Sequence, residues 1–263
     1  MPGSSSRRAE RSGVKRGALV LTIIAGVAVF LVVLFFYLPA SWFTSALPAQ
    51  VKCRELGGSI WQGECLGLSV QDTQLGDATW DLAPGRALTG RLAGVFELRG
   101  AALTARGDLE LGFSGAGEVR NLNARLIIDP ALLRQLPPQQ RGTVSASLER
   151  LELTAGPALH TVKGTVELRD FRQVGAQPMD LGSYQVTFDG APHPGESLTG
   201  KLRDLGGPFA VDGTVTLNPP DAYLVQGFIT GRTAAAGSVV REITLGAAPD
   251  ASGRSAFSFE GTY

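Results

Sequence analysis

An uncharged apolar run from Ala18 to Leu38 constrains this chain more than any other feature. As a helix, at about 1.5 Å per residue, it would span roughly 30 Å, the hydrocarbon thickness of a bilayer. Nothing after it approaches that length of uninterrupted hydrophobicity. Arg7, Arg8, Arg11, Lys15 and Arg16 precede it, with a single acid, Glu10. Positive charge beside a transmembrane end stays in the cytoplasm. The expected organisation is a cytoplasmic basic tail over 1–16, a transmembrane helix over 17–38, and a large domain outside the cytoplasmic membrane over 39–263. A cleaved secretory signal is the competing reading. A signal core holds about 7–15 apolar residues before a small-x-small site. This run is longer, and Leu38-Pro39-Ala40 suits cleavage poorly. Ser6-Arg7-Arg8 matches the start of a twin-arginine signal, but Ala9, Glu10 and Arg11 stand where apolar residues should follow. Tyr37, Trp42 and Phe43 lie where interfacial aromatics are expected.

Charge narrows the partners. The 24 basic and 24 acidic residues balance, and beyond the tail 19 basic residues face 23 acidic ones. A mildly acidic domain is no polyanion-binding surface, so nucleic acid is not an expected partner. Cys53 and Cys65 both fall outside the membrane by this topology, where oxidation is permitted. Gly57-Gly58 and Gly63 lie between them, and two short strands turning back on each other would bring the thiols together. A disulfide closing so short a loop contributes on the order of 3 kcal/mol. A zinc site commonly needs four protein ligands, or three plus water; with His160 and His193 the sole histidines, that reading lacks ligands. A free thiol pair is the remaining alternative.

The rest of the chain reads as strand, turn, strand. Val162, Gly164, Val166 and Leu168 alternate with Lys163, Thr165, Glu167 and Arg169. A period of two puts apolar residues on one face and polar ones on the other, which is a half-buried strand. The same period marks Leu109, Leu111 and Phe113; Tyr184, Val186 and Phe188; Val211, Val215 and Leu217; and Phe257, Phe259 and Tyr263. Between Val144-Ala146-Leu148 and Leu151-Leu153 the phase slips, and a β-bulge near Glu149-Arg150 would restore it. Asp189-Gly190, Asn218-Pro219-Pro220 and Glu260-Gly261 read as turns; Asp212-Gly213 reads as a turn or as a strand interior. Asp129 and Pro130 open a short predicted helix through Leu133, and Val239 to Leu245 a second. The expected fold is mainly β: a large, curved, mostly antiparallel sheet with one apolar face and a few short helices. Such a face must fold over itself, be covered, or hold something apolar.

Catalytic patterns are missing. The sequence has no Gly-x-Ser-x-Gly elbow and no P-loop, and Gly115-Ala116-Gly117 lacks the third glycine of a dinucleotide fingerprint. His160 and His193 read as loop residues, and Asp180, Asp189 and Asp204 as turn formers. A glycosidase pair among such carboxylates is the enzymatic alternative. The expectation is a non-enzyme with no cofactor and no metal.

The most distinctive text follows the apolar run. Leu38-Pro39-Ala40 leads to Gly58-Ser59-Ile60-Trp61-Gln62-Gly63, then Trp80-Asp81-Leu82-Ala83-Pro84 and Leu88-Thr89-Gly90. Leu181-Gly182-Ser183-Tyr184, Gly206-Gly207, Val211-Asp212-Gly213 and a final Phe-Ser-Phe-Glu-Gly follow. Over residues 35 to 263 the chain resembles the type II secretion system protein N family. It is similar, more distantly, to AsmA-like proteins, whose curved sheets form apolar grooves associated with lipid transport or membrane homeostasis. The resemblance implies an accessory, non-catalytic part of a secretion apparatus, anchored in the inner membrane with its domain in the periplasm. Its implied partners are other components of that apparatus; the AsmA-like alternative adds lipid. Gly58, Trp61, Gly63, Trp80 and Pro84 carry the motif. Read physically, both tryptophans are structural: Trp61 buries a ring beside a tight turn, and Trp80 a second on a neighbouring strand that Pro84 ends.

Overall fold

The computed structural model describes residues 10–42, 50–71, 73–129, 139–154, 159–175, 178–190, 197–218, 222–244 and 248–262, with side chains from Val20 onward. It opens with a 27-residue helix, α1 (Glu10–Phe36). The strands follow as β1 (Val51–Lys52), β2 (Glu55–Gly58), β3 (Gln62–Val70), β4 (Thr73–Leu82), β5 (Arg91–Arg99), β6 (Leu103–Gly112) and β7 (Gly117–Ile128). Then come β8 (Gln140–Leu153), β9 (Leu159–Gln173), β10 (Met179–Asp189), β11 (Leu198–Gly206), β12 (Phe209–Asn218), β13 (Ala222–Gly231) and β14 (Ser255–Thr262). A one-turn helix, α2 (Pro84–Ala87), links β4 to β5, and α3 (Ala234–Ile243) links β13 to β14.

The strands form one antiparallel sheet. From β3 to β14 each pairs with the next, while β1 and β2 both pair with β3. Register explains why the two faces differ. One cross-strand row runs Leu56, Cys65, Ala78, Leu98, Ala105, Ala124, Ala146, Val166, Val186, Leu202, Gly213, Gly227 and Phe257, from β2 to β14. The row beside it is Glu64, Thr79, Glu97, Arg106, Asn123, Ser147, Thr165, Thr187, Lys201, Thr214, Gln226 and Ser258. Adjacent residues on a strand point to opposite faces, so the sheet is apolar on one side and polar on the other.

The apolar face is incompletely covered. Leu148, Val162, Phe188 and Leu198 form one buried cluster on it, and Ala146, Val166 and Val186 pack half-buried against them. A second cluster joins Phe209 and Val211 of β12 to Ala236 and Val240 of α3. The hydroxyl of Thr233 caps α3 by accepting a hydrogen bond from the Ala236 N–H. The polar face is laced by pairs two residues apart on one strand: Glu97 with Arg99, Glu118 with Arg120, and Glu167 with Arg169. In each, the hydrogen bond from the arginine holds the glutamate below the usual carboxylate range. These groups face water, so they contribute little to stability.

Several expectations hold and others shift. The bulge expected near Glu149-Arg150 lies between Leu148 and Arg150, and Asp212-Gly213 is strand interior. Glu260-Gly261 is no turn: both lie within β14, opposite Leu224 and Tyr223, because the ladder continues past the glycine. Gly115 and Ala116 lie in the hairpin turn from β6, and Gly117 opens β7. The helix expected at Val239 begins earlier, at Ala234, because Thr233 supplies the cap. That expected after Asp129 lies outside the described residues. Among the described residues no helix is long and apolar enough to cross a membrane. Of the run from Ala18 to Leu38, the stretch Val20 to Phe36 is helix with described side chains.

Leu148 lies at the centre of the first cluster, 7% exposed. Leu148→Ala is expected to cost about 2–5 kcal/mol, read as a lowered urea midpoint with an unchanged slope.

Candidate functional site

The motif residues meet where α1 joins the sheet. Gly58 takes a left-handed backbone conformation (φ 78°), and the Ser59 N–H closes the turn on the Gln62 carbonyl. The Ser59 hydroxyl accepts the N–H groups of Trp61 and Gln62. This local hydrogen bonding fixes Trp61 at the tip of the β2–β3 hairpin, 5% exposed. Its indole Nε1–H donates to the Phe35 carbonyl at 2.6 Å, and its ring lies 4.7 Å from that of Phe35. The last four carbonyls of a helix have no partner within it, so Trp61 satisfies one of them for α1. The Ile60 N–H donates to the Leu38 carbonyl, and Pro39 bridges to Ser59.

Trp80 completes the joint. Its Nε1–H donates to the Ile60 carbonyl at 3.1 Å. Its ring crosses β3 at Gly63, where an added Cβ would come within 2.5 Å of the ring and 2.8 Å of two backbone carbonyls. The glycine is therefore required by the tryptophan opposite. Pro84 follows β4 and is also the first residue of α2, where its missing N–H costs nothing. Cys53 and Cys65 are joined by a disulfide that ties the chain before β2 to the middle of β3.

Two hollows open on the apolar face. The first, about 500 Å³, lies behind the joint and is lined by Ala40, Leu56, Trp61, Cys65, Trp80 and Leu92 among others, every lining residue being apolar. The second, about 480 Å³, lies toward α3 and is lined by Val166, Val186, Leu202, Val215, Ile243 and Phe257 among others. Sequence reasoning missed both as cavities. Their residues carry the period-two signal, but nothing in that signal separates a covered residue from an open one.

A second group of family residues converges at the opposite end of the strands. The Tyr184 hydroxyl donates to the Leu181 carbonyl, and a Cβ on Gly207 would sit 2.7 Å from Gly182. Asp180 and Asp204, expected in turns, lie in β10 and β11 next to bulges. Each accepts the N–H two residues on, from Gly182 and Gly206. The Asp-x-Gly spacing was the signal for this. Asp204 also pairs with Arg232 at 2.7 Å and accepts the Val211 N–H. Burial acts to raise its carboxyl, but these hydrogen bonds prevail and hold it below the usual range. Burial, aided by Asp204 and Asp180, pushes the Tyr184 phenol up to about 12. Asp189 ends β10 and pairs with Lys201.

His160 is exposed at the start of β9, and His193 lies outside the described residues. Among the described residues no cluster of His, Cys, Asp or Glu is arranged to hold a metal. What the arrangement offers is an apolar trough between two braced ends.

Trp61→Phe keeps the ring but leaves the Phe35 carbonyl without its donor, a loss of about 1–3 kcal/mol for a buried acceptor. Trp61→Ala is expected to cost about 3–5 kcal/mol. Chemical denaturation measures both, and protease cleavage between Tyr37 and Trp42 should rise in step. The fold favours the neutral Tyr184 phenol. Its stabilising contribution is therefore complete below the ordinary tyrosine value and is lost as pH rises through about 12. Ultraviolet titration should show one tyrosine ionising near pH 12, and Tyr184→Phe should remove that step.

A family model for protein N of the type II secretion system matches residues 49–258. Comparison with curated proteins and with solved structures finds no match. The matched span runs from just before β1 into β14 and takes in the Trp61–Trp80 joint, the trough and the Tyr184 corner. With most of its length matched, the chain belongs to the type II secretion system protein N family.

Proposed function

We propose that this secretion component is an accessory part of the apparatus, anchored in the inner membrane, and supports export of folded proteins through contacts with other components. The family match across nearly the whole sheet carries this reading. The anchor is the apolar run of α1, with residues 1–16 in the cytoplasm and 39–263 in the periplasm. Supporting it are the basic cluster before the run and the exposed side chains of α1, such as Leu21 at 71% and Phe30 at 63%. A surface this apolar is stable in lipid and not in water. A disulfide beside the joint suits an oxidising compartment. The domain acts by binding, with no catalytic role and no cofactor.

A second reading, lipid handling in the manner of AsmA-like proteins, is favoured by one observation: the apolar face is open. The hollows behind Trp80 and beside α3 lie on the face that carries the row from Leu56 to Phe257. Extended acyl chains match such a trough in shape and polarity.

The deciding experiment is export of secreted enzymes by a strain lacking this protein, with the wild-type chain restored in parallel. Loss of export with an intact outer membrane, recovered on restoration, is the expected outcome. Normal export would overturn the apparatus reading. Phospholipid extracted in stoichiometric amount from the purified chain would then favour the second.

A further inference from the structure

The strands alternate in direction, so every second connection lies at the end of the sheet where α1 joins it. That end carries the Gly58–Gly63 turn, the α2 connection from β4 to β5, and the hairpin between β6 and β7. Beyond α1, the four most exposed large apolar side chains among the described residues are Leu88 at 78%, Tyr37 at 77%, Phe113 at 71% and Trp42 at 64%. All four sit at this one end. Leu88 follows α2, Phe113 is in the β6–β7 turn, and Tyr37 and Trp42 leave α1. At the other end, exposure falls to 41% at Leu205 and 44% at Ile243.

These side chains belong to one hydrogen-bonded strip. The Trp61 indole holds the Phe35 carbonyl at the end of α1. The Leu82 N–H donates to the Trp61 carbonyl, and the Phe113 N–H donates to the Gly90 carbonyl. Strip and helix are therefore fixed relative to each other, and the exposed residues do not move independently of α1. Hairpin tips normally carry polar residues. A leucine and a phenylalanine this exposed, on neighbouring connections, mark a surface that meets something apolar. Tyr and Trp at the end of an apolar helix match the headgroup region, where a ring lies in an apolar layer with its polar edge in water.

We propose that this rim is a second membrane contact: Leu88 and Phe113 insert shallowly into the outer leaflet of the bilayer that holds α1. The inference rests on the anchor reading, because the strip is tied to the end of α1. Its consequence is orientation. One helix alone can tilt and rotate in the bilayer and carry the domain with it. A helix plus a rim some strands away holds the sheet upright, with the mouth of the hollow behind Trp80 at the lipid surface. The occupant is a lipid surface rather than a protein, since the residues lie at the same end of the sheet as the exposed Tyr37 and Trp42 that leave α1.

The test uses the full chain in phosphatidylethanolamine–phosphatidylglycerol vesicles, with a fluorophore on one introduced cysteine per variant and the native disulfide intact. Leu88→Cys and Phe113→Cys report the rim, Val27→Cys the helix, and Leu205→Cys the opposite end. All four positions are exposed, so folding should be unaffected. Quenching by lipids brominated near the headgroup should be several-fold stronger at Leu88 and Phe113 than at Leu205. Equal, weak quenching at all three overturns the proposal. Quenching at Val27 by lipids brominated deep in the chains separates the two readings. If Val27 is quenched while the rim is not, the anchor stands and the rim contact falls. If Val27 is also unquenched, both fall. A quenched rim without a quenched Val27 removes the anchor and with it the proposal of a second contact beside a spanning helix.

Discussion

A sheet buries a face only against another layer, and among the described residues only α3 supplies one. From β2 to β14 each strand adds an apolar residue to the same row, and α3 covers just one end of the face those rows build. Much of the row stays half-exposed: Ala124, Val166 and Val186 are neither fully buried nor exposed. Side chains of neighbouring strands shield one another around Leu148 and Leu198, but two hollows stay open on the same face. The proposed functions follow from this deficit, since an open apolar trough calls for a partner, a lipid, or both.

The two ends of the trough are braced by different chemistry. At the α1 end the bracing is aromatic and directional. Two indole N–H groups reach backbone carbonyls, and a glycine clears space for one ring. At the other end it is ionic. Asp204 gathers Arg232 and two backbone N–H groups, while Tyr184 closes on its own strand beside a glycine pair. Open edges and loose ends make single-layer sheets vulnerable to slippage. Gly58, Trp61, Gly63 and Trp80 lie at the first brace, and Gly182, Tyr184 and Gly207 at the second. The motif residues thus hold the backbone in place at both ends of the strands.

Much of this was legible beforehand because its causes are local. Period two is a property of the strand itself, so Val162 to Leu168 declared their faces without any partner. The bulge at Leu148–Arg150 showed as a phase slip, and the Cys53–Cys65 pairing followed from a short loop rich in glycine. What misled was equally local in form. Glu260-Gly261 looks like a turn, yet β13 supplies a ladder that carries the strand through it. Thr233 gave α3 an earlier start than its apolar residues suggested. Asp204 looked like a turn former because its role depends on Arg232, far along the chain.

The sequence by itself determined which residues share a face, where strands alternate, and which family the chain joins, since these depend on spacing along the backbone. Tertiary structure alone decided that the apolar face stays open, that Trp61 caps the helix carrying Phe35, and that Leu88 and Phe113 stand at the end of the sheet that this helix joins. An apolar position in a strand reads the same whether or not another layer lies above it. Only the path of the chain through space shows that, among the described residues, α3 alone returns to cover this sheet.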